Sequence, residues 1–236
     1  MSKHPGRKLK DIFSKWKMGD FFRNFVAVVL GIAITFIGGD LISKRNSRQE
    51  VSKAMQLVKS ELRINRGVVQ EMLDREIREQ NAARYLFNHK NDLNRVPSDS
   101  LYLYAFQPFQ MGTYTYTSDA MEMLKMSSLI QKVKNKELAL QIIRSYGAVK
   151  SAAMIFESFI NTKKMMQEKM MANPEINDFF ADNPQIPQEI WALLFNRTEG
   201  VMFVQYILNC HNPQSVYSQY LETIDATLAA IEKEYK

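Results

Sequence analysis

One cysteine, three histidines and two tryptophans in 236 residues leave little material for several common chemistries. A single thiol, Cys210, cannot close an internal disulfide, and its position excludes an N-terminal lipid anchor. His4, His89 and His211 fall in segments that read as tail or loop. None has a glutamate three residues before it, so the Glu-x-x-His signature of di-iron bundles is missing. Cys-x-x-Cys, His-Glu-x-x-His, Gly-x-Ser-x-Gly and Gly-Lys-Ser/Thr motifs are missing as well. Gly38-Gly39-Asp40 is too little for a nucleotide loop. Cys210 next to His211 could pair as nucleophile and base. Adjacent residues on a helix point about 100° apart, however, and no partner acid is evident. Glu157, in "AAMIFESFI", reads as a residue of a solvated face. No catalytic residue, cofactor site or metal ligand is therefore predicted, and the chain is not expected to be an enzyme.

An excess of one charge is also lacking once its location is considered. The net charge is +6. The first 20 residues hold Lys3, Arg7, Lys8, Lys10, Lys15 and Lys17 against Asp11 and Asp20, which leaves only +2 for everything after them. That balance argues against a nucleic-acid surface on the main domain. Methionine is plentiful at 14, often in pairs such as Met165-Met166, which suits irregular helical packing better than metal binding.

What the sequence does have is one long apolar run. Phe25 to Gly39 carries no charge, and Phe21 to Ile42 is long enough to cross roughly 30 Å of hydrocarbon as a helix. "GGDLISKRNS" follows it without a small-x-small cleavage site, so an uncleaved anchor is expected. The short basic start favours an N-terminus in the cytoplasm and a C-terminal part in the periplasm, at the inner membrane. Leu9, Ile12, Phe13 and Trp16 recur at helical spacing among lysines. This fits an amphipathic helix on anionic lipid or, equally, a disordered basic start. Ala27, Gly31, Thr35 and Gly39 repeat every four residues, a small-residue stripe that would admit a second transmembrane helix.

The expected organisation is a basic segment over 1–20, an anchor over 21–43 and a helical domain over 44–236. Val51, Met55, Val58, Leu62, Asn65, Val69 and Met72 step by four and three, an a/d seam with one polar member, Asn65. Asn65 could fix register between two helices or hydrogen-bond inside a bundle. The pattern is expected to end after Glu76, before the polar loop around Pro97. Tyr102 and Tyr104, then Tyr114 and Tyr116, alternate with other residues, hinting at short extended pieces or a loop packed on helices. Together these tyrosines form a candidate aromatic pocket. Asp119 with Glu122 marks a helix start. A second long helix is expected from Lys136, with Leu138, Ile142, Tyr146, Val149, Ala153, Phe156 and Ile160 inward, ending at Pro174. "NDFFADNPQIPQ" reads as loop. Helical pattern resumes at Ile190, with a kink at Gly200, and "HNP" breaks it. Tyr217, Tyr220, Ile224, Leu228, Ile231 and Tyr235 form the stripe of a last helix. The predicted fold is all-α, one N-terminal transmembrane helix followed by an antiparallel bundle of long helices.

"FVAVVLGIAITFIGGDLISKR", "EVSKAMQLVKSELRIN" and "YTSDAMEMLKMSSLIQKVKNKELALQIIRSY" together resemble a family of small membrane-anchored helical proteins of Bacteroidota. The resemblance, which includes the Glu61-Leu62…Asn65 element and the closing helical hairpin, covers most of the chain. The "NPEINDFFADNPQIP" loop departs from it. It implies location and architecture, and no chemistry. Two functions are then in view. The first is a non-enzymatic module acting by protein–protein contact, as an accessory or assembly subunit of a cell-envelope complex or as a homo-oligomer, with membrane lipid and protein as its partners. The alternative is a sensory bundle that binds a ligand at the tyrosines and signals through a partner.

Overall fold

The computed structural model describes residues 25–29, 44–182 and 186–235. Among them every regular element is a helix, and no strand occurs. The longest is α1 (Lys44–Asn88), about 68 Å of helix uninterrupted by proline. Two more long helices, α5 (Lys136–Met171) and α9 (Pro213–Glu234), pack along it.

The direction of each helix follows from its polar contacts. Gln56 pairs with Tyr235, Lys59 with Glu232, Arg66 with Asp225 and Glu76 with Tyr217, so α9 runs antiparallel to α1. Asn135 bonds Glu234 and Ser145 bonds Thr227, so α9 is antiparallel to α5 too. α1 and α5 are consequently parallel. A crossover over 89–135 joins them, holding α2 (Ser98–Ala105), α3 (Asp119–Met126) and α4 (Leu129–Lys132).

The three long helices enclose the larger core, built on Met55, Leu62, Val69, Met72, Leu138, Ile142, Phe156, Ile224 and Ile231. A second core caps one end of the bundle. There α6 (Pro174–Ala181), α7 (Pro187–Phe195) and α8 (Thr198–Asn209) fold against α2 and the last turns of α1. Trp191 is fully buried in it and donates its indole N–H to the Ala105 carbonyl at 3.1 Å. Phe109 stacks between Trp191 and Phe203, 5.5 Å from each.

Several expectations need correction. The α1 seam does not end after Glu76. Its four-and-three steps continue through Glu76, Glu79, Ala83 and Leu86, all buried, so the seam changes chemistry rather than stopping. Tyr102 and Tyr104 lie on α2, not on extended pieces. The residues α2 buries are Leu101 and Ala105, four apart, which is helical phase. Of the predicted loop over 177–188, 177–181 belong to α6 and 187–188 to α7. Pro174 and Pro213 sit at the first helical position behind Asn173 and Asn212, whose side chains accept from the Glu175 and Ser215 amides. Proline there has no amide to lose, so it starts these helices as well as ending the previous ones. The helix is broken at Asn196 and Arg197 rather than kinked at Gly200, which lies in the first turn of α8. α7 ends at Phe195, α8 starts at Thr198, and a Cβ on Gly200 would run into the Leu194 backbone.

Among the described residues no helix is long and apolar enough to cross a membrane. The expected anchor lies outside them except for 25–29, which is helical. Of the small-residue stripe only Ala27 falls inside; Gly31, Thr35 and Gly39 do not.

Candidate functional site: a polar seam in the bundle

α1 presents polar side chains to the interior at two levels. At the first, Glu61 and Asn65 are one turn apart and both fully buried. Asn65 Nδ2 donates to the Thr117 carbonyl at 2.7 Å, and the Thr117 amide donates back to Oδ1 at 3.0 Å. The side-chain amide thus replaces one rung of a backbone ladder for a segment that has no strand partner. Asn65 therefore bonds within the bundle, the second of its two predicted roles. Glu61 Oε2 accepts the Ala120 amide at 2.5 Å, capping α3 from another helix. Burial pushes the Glu61 carboxyl up to about 7, with Asp119 adding to the rise, against the Ala120 amide and Thr117 hydroxyl, which favour the carboxylate. Tyr146 of α5 faces it, and burial raises its phenol above the ordinary value, helped by the Glu61 charge.

The second level is ionic. Arg75 donates Nε to Glu79 at 2.8 Å and Nη1 to the Gly112 carbonyl at 2.6 Å. Its guanidinium lies over the Phe156 ring at 5.3 Å and near the Tyr114 ring at 5.9 Å. Lys163 of α5 is completely buried, paired with Glu79, and donates to the Gln110 carbonyl at 2.5 Å. Burial pushes Glu79 up and Lys163 down, each against the pull of the other's charge. Lys163 and Arg75 thus fasten 110–112, as Asn65 and Glu61 fasten 117–120.

Beside this level lies a corner where α1, α5, α8 and α9 meet. Glu76 is fully buried and accepts the Tyr217 hydroxyl at 2.6 Å. Its Oε2 stands 2.6 Å from His211 Nε2. α8 ends at Asn209, Cys210 keeps helical dihedrals (φ −58°, ψ −50°), and the chain leaves the helix at His211, where Sγ, imidazole and carboxylate come within 4.8 Å of one another. Gln80 Nε2 holds the turn, donating to the His211 carbonyl at 2.8 Å and to Cys210 Sγ at 3.6 Å. The Cys210 thiol and then the Glu76 carboxylate beside it raise the His211 imidazolium to about 10, against the effect of its burial. Burial and the Glu76 charge push the Tyr217 phenol upward. A cavity of about 500 Å³ opens here, lined in part by Gln80, Arg84, His211 and Gln214.

The acid partner missing from the sequence reading of Cys210 and His211 is therefore Glu76, supplied by a distant helix. Its signal was a carboxylate standing on a seam position. Glu157 is exposed, as expected. The four candidate tyrosines divide between two places. Tyr104 packs on Tyr85 at 4.4 Å in the second core, with Tyr102 half exposed nearby. Tyr114 and Tyr116 line a separate cavity of about 300 Å³ with Ala153, Phe156 and Glu157.

No protein-family model, curated protein or solved structure matches this chain.

Proposed function

We propose that this chain is a membrane-anchored helical module that works by protein–protein contact, as an accessory or assembly subunit of a cell-envelope complex or as a homo-oligomer. The observation that carries this reading is the outer face of α5. Leu140, Ile143, Met154 and Met165 are 47, 44, 59 and 43 % exposed. On a helix of 3.6 residues per turn they fall within an arc of about 60°. Gly147, Ser151, Ser158 and Asn161 fill the gaps, so the line carries no charge over about 37 Å. Arg144, Lys150 and Glu157 flank it. Scattered exposed apolar residues are ordinary, whereas an aligned strip with small residues at its middle suits close approach of another helix. The anchor over 21–43, with the domain on the periplasmic side, rests on the sequence argument above.

The test is purification of the full chain at native expression level in mild detergent, for wild type and for I143R/M154R. The expected result is a fixed-ratio complex, with a second protein or with further copies, that the double variant loses while keeping its helical circular dichroism. A wild-type monomer with nothing bound, or a complex indifferent to both arginines, overturns the reading. The cavity lined by Tyr114 and Tyr116 favours the sensory alternative. A ligand that raises the melting temperature of wild type but not of Y116A would support it.

A further inference from the structure

We propose that Glu76, Cys210 and His211 form a three-ligand site for a zinc-class divalent ion, its fourth position open towards the neighbouring cavity. The inference goes beyond the contact reading and does not depend on it.

Four observations converge. The donors are a carboxylate oxygen, a thiol sulfur and an imidazole nitrogen, brought within 4.8 Å from two separate parts of the chain. Mixed sulfur, nitrogen and oxygen donors suit zinc and its neighbours, while calcium and magnesium want oxygen alone. Glu76 Oε2 and His211 Nε2 are enclosed, face each other at 2.6 Å and have no well-directed hydrogen bond. An ion taking the place of the proton between them would give both atoms a directed partner and draw in the sulfur.

The surrounding contacts are those that orient metal ligands. The Tyr217 hydroxyl holds the other carboxylate oxygen of Glu76, and Gln80 fixes the backbone of His211 while reaching Sγ. Last, His211 lines the cavity of about 500 Å³, through which an ion and a water ligand can enter. Three protein ligands with a solvent-facing fourth position is the arrangement of open rather than closed zinc sites. In either use the ion would tie the α8–α9 turn to the middle of α1.

The experiment is Co²⁺ titration of the full chain in detergent after removal of metal with a chelator. Cobalt serves as the visible stand-in for zinc. One equivalent should bind, with a thiolate-to-cobalt charge-transfer band and the d–d bands of a four-coordinate ion, and Zn²⁺ should displace it. C210S should abolish the charge-transfer band. E76Q and H211N should each weaken binding by at least about tenfold, and Q80A, which removes only an orienting contact, by about tenfold. His211 lies in a turn, so H211N remains informative if E76Q lowers helical content. The proposal is overturned if folded wild type shows no charge-transfer band. It is equally overturned if the band persists with unchanged affinity in folded E76Q or H211N, since the thiol alone would then be binding.

Discussion

Glu61 and Glu79 stand on the buried side of α1, eighteen residues and about five turns apart, and neither is exposed to water. Their burial is resolved in opposite ways. α5 runs parallel to α1 and sets Tyr146 near Glu61 but Lys163 against Glu79. Without a cation, Glu61 is driven towards its neutral form; with Lys163 and Arg75 beside it, Glu79 belongs to an ionic cluster. Both levels nevertheless do one job, each catching part of the 107–120 crossover segment by its backbone. The difference shows that the partner presented by the facing helix, not burial alone, decides how a buried carboxylate is accommodated.

The largest effect expected is on the ionic level. K163M removes the Nζ that holds Glu79 and the Gln110 carbonyl, leaving a buried carboxylate with Arg75 alone. Unfolding free energy should fall by about 3–5 kcal/mol, read as a lower urea midpoint at unchanged slope. The triple variant R75M/E79L/K163M, which removes all three charges, should be more stable than E79L, which leaves Arg75 and Lys163 buried without their counter-charge. If K163M costs less than about 1 kcal/mol, the ionic level is not the clasp described here.

The neutral level should reveal itself through pH. Glu61 rises from an ordinary value of 4.5 to about 7 in the folded chain. A raised folded value means that the native state binds the proton more tightly. Its stabilising effect is therefore fully present below about 4.5, fades as pH climbs to about 7, and is gone above that. The shift corresponds to about 3 kcal/mol. Wild type should lose roughly that much stability between pH 4.5 and 8 relative to E61Q, whose amide does not titrate. Parallel pH profiles for the two proteins would show that Glu61 is solvated or paired after all.

Much of the bundle was readable because seam residues obey a spacing. Val51 to Met72 on α1, Leu138 to Ile160 on α5 and the stripe from Tyr217 to Ile231 on α9 all line the core. The polar half of the seam was written in the same spacing and missed because an interior position was expected to be apolar. Glu76 and Glu79 continue the steps of α1, and Lys163 is the next step after Ile160 on α5. A carboxylate on one seam and a lysine on the other is a pairing signal that needs no coordinates. The corner at Glu76 is a different matter. The break between α8 and α9 is marked by "HNP", but the register at which α9 returns along α1, which sets His211 against Glu76, is not fixed by local sequence. The tyrosines misled for a related reason, since alternation over four residues cannot be told from one helical turn with a buried Leu101 and Ala105.

A middle-sized effect belongs to Asn65. N65A leaves the part-buried Thr117 amide and carbonyl without their side-chain partner, at about 2 kcal/mol. Hydrogen exchange should speed up at Thr117 and Ala120, whose attachments share this node, more than at Gln110, whose amide bonds the Gln107 carbonyl and whose own carbonyl hangs from Lys163. Equal loosening at both places would mean that the crossover responds as one unit, and the distinction between the two levels would dissolve.

The smallest effect is expected where buried polarity is neutral on both sides. Ser145 of α5 donates to Thr227 of α9 at 2.8 Å and also reaches the Thr223 carbonyl, and Thr227 bonds the Gln141 carbonyl at 3.3 Å. T227V alone strands one hydroxyl partially, because Thr223 O still receives it, so about 1 kcal/mol should be lost. S145A/T227V removes both hydroxyls and frees only helical carbonyls that keep their main-chain bonds. That double variant should lie closer to wild type than T227V does. Such recovery would place this pair beside the cluster of Arg75, Glu79 and Lys163, where removing every charge is milder than removing the carboxylate alone. It would also set both apart from Asn65, whose partner is backbone and cannot be removed with it.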